Sequence, residues 1–105
     1  MKFNLEVSNE LRQACPNYRG AAVYATVRNT LHSEGLWQEI DAFTRELQAT
    51  ETVDSIKQQT AIVATRDAYR ACGKDPSRYR PSAEALRRRL LRGLDLYQID
   101  TLVDL

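Results

Sequence analysis

Residues 78–92 hold six arginines and a tyrosine, and the tyrosine and five of the arginines are the first candidates for binding chemistry. They are Arg78, Tyr79, Arg80, Arg88, Arg89 and Arg92. A guanidinium group can bind phosphate oxygens through two donors at once, and an aromatic ring among such groups offers a surface for stacking a nucleobase. We therefore predict these six residues as candidate ligands for a polyanion, and for RNA in particular.

The charge of the chain is distributed unevenly although the net charge is only +1. Residues 66–93 hold nine bases and three acids, residues 1–65 hold six bases and eight acids, and residues 94–105 hold three acids and no base. A local positive field attracts a polyanion. Two alternatives stay open, because the basic face can simply be solvated or can be neutralised by the acidic C-terminal residues.

The second group of arginines lies on a predicted helix. Ser82 is its expected N-cap, Glu84 stands in the first turn where the helix dipole favours a carboxylate, and Gly93 ends it. At 100° per residue Arg88, Arg89 and Arg92 share one side, opposite an apolar stripe. The wheel predicts that the three arginines form one exposed basic face.

The rest of the chain predicts an α+β fold, with a small mixed sheet of few strands packed with about four helices. Residues 3–7 alternate apolar and polar, and the run AAVYATV after Gly20 resembles a buried central strand. Residues 9–15 suit a short helical turn. Ser33 caps a long amphipathic helix that carries Trp37, the segment TETVDSIKQQ has a looser pattern, and TAIVATRDAYRACG predicts a helix that stops at Gly73.

Composition excludes several functions. The N-terminus has acids and no apolar run, so we expect neither a signal peptide nor a membrane contact, and a cytoplasmic location. His32 is the only histidine, and Cys15 and Cys72 lack CxxC spacing, which argues against a bound metal. We expect both thiols to be buried, no cofactor, and no catalytic constellation, so the catalytic residues are unknown.

The C-terminal third resembles the B3/B4 tRNA-binding and editing domain of the phenylalanyl-tRNA synthetase beta subunit, especially its free-standing relatives. The likeness covers YRACGKDPSRYRPSAEALRRRLLRGLDLYQIDTLVDL well and CPNYRGAAVYATV loosely. Asp100 stands where the family tends to have Asn, and Arg87 where it has an aliphatic residue. The positions that match are Tyr69, Gly73, Asp75, Pro76, Ser77, Tyr79, Arg80, Pro81, Ser82, Glu84, Leu86, Arg88, Arg89, Gly93, Ile99, Leu102, Val103 and Asp104.

The resemblance implies one B3/B4-like domain over residues 1–105, truncated at its C-terminus, since it matches the first half of such domains. It implies recognition of aminoacyl-tRNA or another RNA as the leading function. An alternative that it implies is a trans-acting aminoacyl-tRNA deacylase. That activity would need residues beyond position 105, because the family's editing pocket lies mostly downstream of the Val-Asp element.

A third hypothesis is a protein-interaction module. Eight large aliphatic residues crowd the last sixteen positions, more than the end of a small domain covers easily. This pattern predicts a homodimer formed through the C-terminal apolar segment. The eight are Leu90, Leu91, Leu94, Leu96, Ile99, Leu102, Val103 and Leu105.

Overall fold

The chain is helical in a computed structural model that describes residues 3–105. The six helices of these residues are α1 (Asn9–Ala14), α2 (Glu34–Thr50), α3 (Val53–Gln58), α4 (Thr60–Ala71), α5 (Ser82–Leu91) and α6 (Thr101–Asp104). Residues 3–105 contain no β-strand. The predicted α+β class with a small mixed sheet is therefore wrong.

The two segments predicted as strands lie at the surface without a pairing partner. Leu5 is 59% exposed and Val23 is 90% exposed, so neither segment lies in a core. Backbone groups of residues 19–29 make no hydrogen bond to other described backbone groups. A strand is stabilised only when a neighbour takes up its N–H and C=O groups, whereas a helix satisfies its own. Apolar β-prone sequence alone therefore does not produce a sheet here.

Helix α2 begins where the sequence predicts it. The Ser33 hydroxyl accepts a hydrogen bond from the backbone N–H of Leu36 at 3.2 Å, as a Ser N-cap should. Apolar residues recur at steps of three and four along the helix, and two of them, Trp37 and Leu47, are buried. Phe43, on the same stripe, remains 51% exposed. The helix therefore buries part of its apolar face.

The core lies where α3 and α2 pack against α5, with α4 packed on α3. The short helix α3 was not predicted from its looser pattern. A reciprocal capping box between Thr52 and Ser55 begins it, and Ile56 at its centre is fully buried. The buried apolar side chains among the described residues are Trp37, Leu47, Ile56, Ile62 and Leu90.

Two glycines end helices as expected. Gly73 follows α4 with φ of 79°, and Gly93 follows α5 with φ of 78°. A side chain is strained in this left-handed region, and glycine is not. The local signals for where α4 and α5 stop are therefore confirmed.

The C-terminal residues are attached to α2 and to the segment before it. The Trp37 indole N–H donates to Asp104 Oδ2 at 3.1 Å. The backbone N–H of Thr101 donates to the Thr30 carbonyl at 2.9 Å, and that of Leu102 donates to Asn29 Oδ1 at 2.9 Å. These bonds hold α6 against the entry to α2.

The described chain is flat and leaves much apolar surface open. Its radius of gyration is 16.7 Å, against about 13 Å for a compact domain of this length. Both thiols are more accessible than predicted, since Cys15 is half-buried and Cys72 is exposed. Within residues 3–105 no helix combines the length and the apolar character needed to cross a membrane.

Candidate nucleic-acid interface

The six predicted ligands fall in two places. Arg78, Tyr79 and Arg80 lie on the loop between α4 and α5, whereas Arg88 and Arg89 lie on α5 and Arg92 is its C-cap. A ten-residue helix is about 15 Å long, so the loop and Arg92 stand at opposite ends of that span. The two groups differ in exposure and in their interaction partners.

The loop presents an aromatic ring between two cations. Tyr79 is 48% exposed, with Lys74 Nζ 5.3 Å and Arg78 Cζ 5.7 Å from the centre of its ring. Both distances suit a cation–π interaction. Arg80 is exposed beside them, and no acidic residue of the described chain pairs with these three bases. We call Lys74, Arg78, Tyr79 and Arg80 the loop cluster.

A tight turn shapes the loop. The Asp75 carboxylate accepts from the backbone N–H of Ser77 at 2.9 Å, and the Asp75 carbonyl accepts from that of Tyr79 at 2.9 Å. Pro76 and Pro81, which flank residues 77–80, are buried. The prolines therefore anchor the loop while the residues between them face solvent.

Arg88 is buried, unlike the loop residues. It joins Arg66 and Glu84 in a buried group, the ion triad, between α4 and α5. Arg66 Nη1 donates to both Glu84 oxygens at 2.9 and 3.1 Å, and Arg88 donates to Glu84 Oε1 through Nε and Nη2, each at 3.2 Å. Arg66 is 9%, Glu84 0% and Arg88 6% exposed. The prediction that Arg88 lies on an exposed basic face is wrong, because its guanidinium is buried against Glu84 inside the fold.

The triad fixes the ionisation of Glu84. Burial alone would raise the pKa of this carboxyl, but the hydrogen bonds and positive charges of Arg66 and Arg88 outweigh it and hold the pKa below the ordinary 4.5. Glu84 lies in the first turn of α5, as the sequence predicts. It also provides the counter-charge for two buried guanidinium groups.

The triad also positions the loop cluster. Arg66 Nη2 donates to the Ser77 hydroxyl at 3.0 Å, so one guanidinium joins α4, the loop and, through Glu84, α5. Ser77 directly precedes Arg78 and Tyr79. A buried ion pair is rarely a strong stabiliser in itself, but its geometry can specify which elements meet. Here it orients the loop relative to α5.

Arg89 is partly withdrawn from solvent. Its guanidinium carbon lies 4.3 Å from the centre of the Tyr97 ring, and its Nε donates to the Asp95 backbone carbonyl. Arg89 is half-buried, whereas Arg92 is exposed. The predicted basic face of three arginines therefore reduces to Arg92, with Arg89 beside it and already engaged.

The acidic C-terminal residues do not neutralise the loop cluster. Asp104 accepts from Trp37, and Asp100 caps α6 by accepting from the backbone N–H of Val103 at 2.9 Å. Asp95 meets Arg89 through its backbone carbonyl. Among residues 3–105 the ion pairs are His32–Glu34, Arg66–Glu84, Arg70–Asp67 and Arg88–Glu84.

Sequence reasoning missed Lys74 and the triad. Lys74 lies just after Gly73, and its place beside Tyr79 depends on the turn that follows. Glu84 and Arg88 are four residues apart on a helix, a spacing typical of an ion pair, so this half of the triad had a visible signal. Arg66 had none, since its approach depends on how α4 packs against α5.

Comparisons with protein-family models, with curated proteins and with solved structures found no match for this chain.

Proposed function

We propose that this protein binds RNA, with tRNA as the first candidate, through the loop cluster and Arg92. The observation that carries the proposal is the exposed Tyr79 ring between Lys74 and Arg78, with Arg80 next to it. Nucleobases stack on exposed aromatic rings whatever their sequence, and neighbouring cations bind the phosphates on either side.

The charges in this surface are available for a ligand. The acids nearest in sequence, Asp75 and Glu84, are occupied by a turn and by the ion triad. Four cations remain for contacts with phosphates: Lys74, Arg78, Arg80 and Arg92. They replace the predicted set in which Arg88 and Arg89 took part.

The choice of tRNA rests on the resemblance of residues 66–105 to the B3/B4 domain. We propose binding and not hydrolysis, because the family's editing pocket has no matching positions in this sequence. The buried triad supports a binding role for the loop, since Arg66 of the triad donates a hydrogen bond to Ser77 and so orders the loop. A preordered loop loses less entropy on binding than a mobile one.

Titration of the protein with tRNA at several salt concentrations tests the proposal. Four phosphate contacts predict a slope of log affinity against log salt of roughly −3 to −4, using about −0.7 per contact for single strands and about −0.9 for duplex. Comparing the affinities for a single-stranded RNA and for a tRNA of the same length distinguishes general RNA binding from binding directed to tRNA. Affinity that does not change with salt, or no binding at low salt, would contradict the proposal.

A second candidate function is self-association through the C-terminal residues. Six large apolar side chains are about half exposed or more, and clustered exposure of this kind favours a protein contact. We propose a homodimer as the assembly, and light scattering over a range of concentrations tests it. A mass that stays at 12.0 kDa at the highest concentration would contradict it. The six are Leu94, Tyr97, Ile99, Leu102, Val103 and Leu105.

A further inference from the structure

The two cysteines lie in one apolar groove although they are far apart in the sequence. The groove, of about 730 Å³, runs between α1 with the turn after it and one side of α4. Cys15, the C-cap of α1, and Cys72, the C-cap of α4, both line it. The fold therefore brings the ends of two helices to one place.

One carbonyl oxygen fixes how close the residues are. The Cys15 thiol donates to the Ala68 carbonyl with Sγ 3.8 Å from the oxygen, and the backbone N–H of Cys72 donates to the same oxygen with its nitrogen at 3.0 Å. Cys72 follows Ala68 by one helical turn, on the same side of α4. The sulfur of Cys15 and the backbone nitrogen of Cys72 thus both lie within 3.8 Å of one oxygen atom.

The two thiols differ in accessibility. Cys72 is exposed and Cys15 half-buried. Burial, followed by the nearby Cys72 side chain, raises the pKa of the Cys15 thiol above its ordinary value of 9.0. The thiolate is the reactive form, so Cys15 is the slower nucleophile and Cys72 is the residue that an external reagent meets first.

We propose that Cys15 and Cys72 form a redox pair that a low-molecular-weight disulfide oxidises to a reversible intramolecular disulfide. The Cys72 thiolate attacks one sulfur of the reagent, forming a mixed disulfide and expelling one thiolate. The Cys15 thiol then gives its proton to solvent and attacks the Cys72 sulfur, which expels the second thiolate. The protein loses two electrons and two protons, and the reagent is reduced to two thiols.

Oxidation would fasten α1 to the end of α4. The Cys15 thiol meets α4 through a weak hydrogen bond to the Ala68 carbonyl, and a covalent bond to Cys72 would be far stronger. The link closes a long loop that includes α2 and α3, and a long closed loop restricts the unfolded chain strongly. We expect the oxidised protein to unfold at a higher temperature than the reduced protein.

Oxidised glutathione is the test reagent, with intact mass and peptide mapping as readouts. The wild-type chain should lose two hydrogen atoms, retain no glutathione and yield a peptide joined through Cys15 and Cys72, and dithiothreitol should reverse this. Cys15→Ser should stop at a glutathione adduct on Cys72. Cys72→Ser should form an adduct on Cys15 more slowly, with a rate that increases with pH. Helical circular dichroism checks that both variants fold.

A reaction in urea distinguishes proximity in the fold from chance encounter. Unfolding should slow the closure of the disulfide, because the helices no longer hold the two thiols together. Three results would overturn the proposal: a stable glutathione adduct on Cys72 of the wild type, a disulfide-linked dimer as the main product, or equally fast closure in urea. None of these readouts depends on RNA binding.

Discussion

Arg66 Nη1 lies 2.9 Å from Glu84 Oε1, and through this contact α4 is joined to the first turn of α5. Glu84 has no exposed surface, and its second arginine, Arg88, is also buried. One carboxylate is therefore the shared counter-charge of two guanidinium groups away from water, and the triad keeps a net charge of +1.

Glu84→Gln should strongly destabilise the protein. The amide retains the shape of the side chain and removes its charge, so Arg66 and Arg88 remain buried without a counter-charge. Loss of one partner of a buried ion pair costs about 3 to 5 kcal/mol. Urea unfolding followed by circular dichroism measures this. The matched control is Asp67→Asn, which removes an exposed pair with Arg70 and should change the free energy of unfolding by less than about 1 kcal/mol. Equal effects of the two variants would contradict the prediction.

Acid should weaken the wild type through the same carboxylate. The pKa of Glu84 is lower in the folded chain than its ordinary 4.5, so the unfolded chain takes up the proton first. The stabilisation is complete above pH 4.5 and is lost as the pH falls through the folded-state pKa. Unfolding free energies from neutral to acid pH should show the wild type approaching Glu84→Gln. A difference between the two that stays constant with pH would argue against an ionised Glu84.

Local signals allowed part of this structure to be predicted. The start of α2 at Ser33 and the ends of α4 and α5 at Gly73 and Gly93 depend on a few adjacent residues, and these predictions are confirmed. The sheet failed for a different reason. Residues 21–27 have the composition of a strand, but pairing is decided by distant segments, and no paired segment lies within residues 3–105.

The candidate site likewise combines features that adjacent residues predict with features that depend on distant segments. The exposure of Arg78 and Arg80 follows from a loop between two prolines, which the sequence displays. The helical wheel places Arg88 opposite the apolar stripe of α5. It gives the direction of the side chain from the helix axis but does not show which element packs on that side. Arg66 comes from another helix and converts that side of α5 into an interior. A helical wheel has no information about a second helix.

Arg92→Gln and Arg88→Gln should separate binding from folding. Arg92 is exposed, so its loss should weaken tRNA binding and reduce the magnitude of the salt slope by about one, with unfolding unchanged. Arg88 is buried on Glu84, so its loss should lower the free energy of unfolding and leave the slope of the folded protein unchanged. Arg45→Gln, an exposed position on α2, serves as the control for charge alone. A larger change of slope for Arg88→Gln than for Arg92→Gln would reverse our assignment.

Tyr79→Ala should weaken RNA binding without changing its salt dependence. Stacking of a base on an aromatic ring is worth about 1 to 3 kcal/mol and involves no counterion release. Tyr79→Phe keeps the ring and should bind nearly as well as the wild type. Fluorescence anisotropy with a labelled single-stranded RNA measures both variants. Binding that Phe fails to preserve would point to the hydroxyl group and away from stacking.

Asp104→Ala should make the Trp37 side chain more accessible to solvent. The carboxylate accepts from the Trp37 indole N–H at 3.1 Å and from the backbone N–H of Ile99 at 3.0 Å, so it links α2 to the C-terminal residues. Trp37 is 7% exposed, and an unpaired buried donor costs about 1 to 3 kcal/mol. Since Trp37 is the single tryptophan, its emission should shift to the red and be quenched more easily by acrylamide. Asp41→Ala, at an exposed position on α2, should leave emission and quenching unchanged. If Asp104→Ala behaves like that control, the C-terminal helix is not held on α2 through this carboxylate.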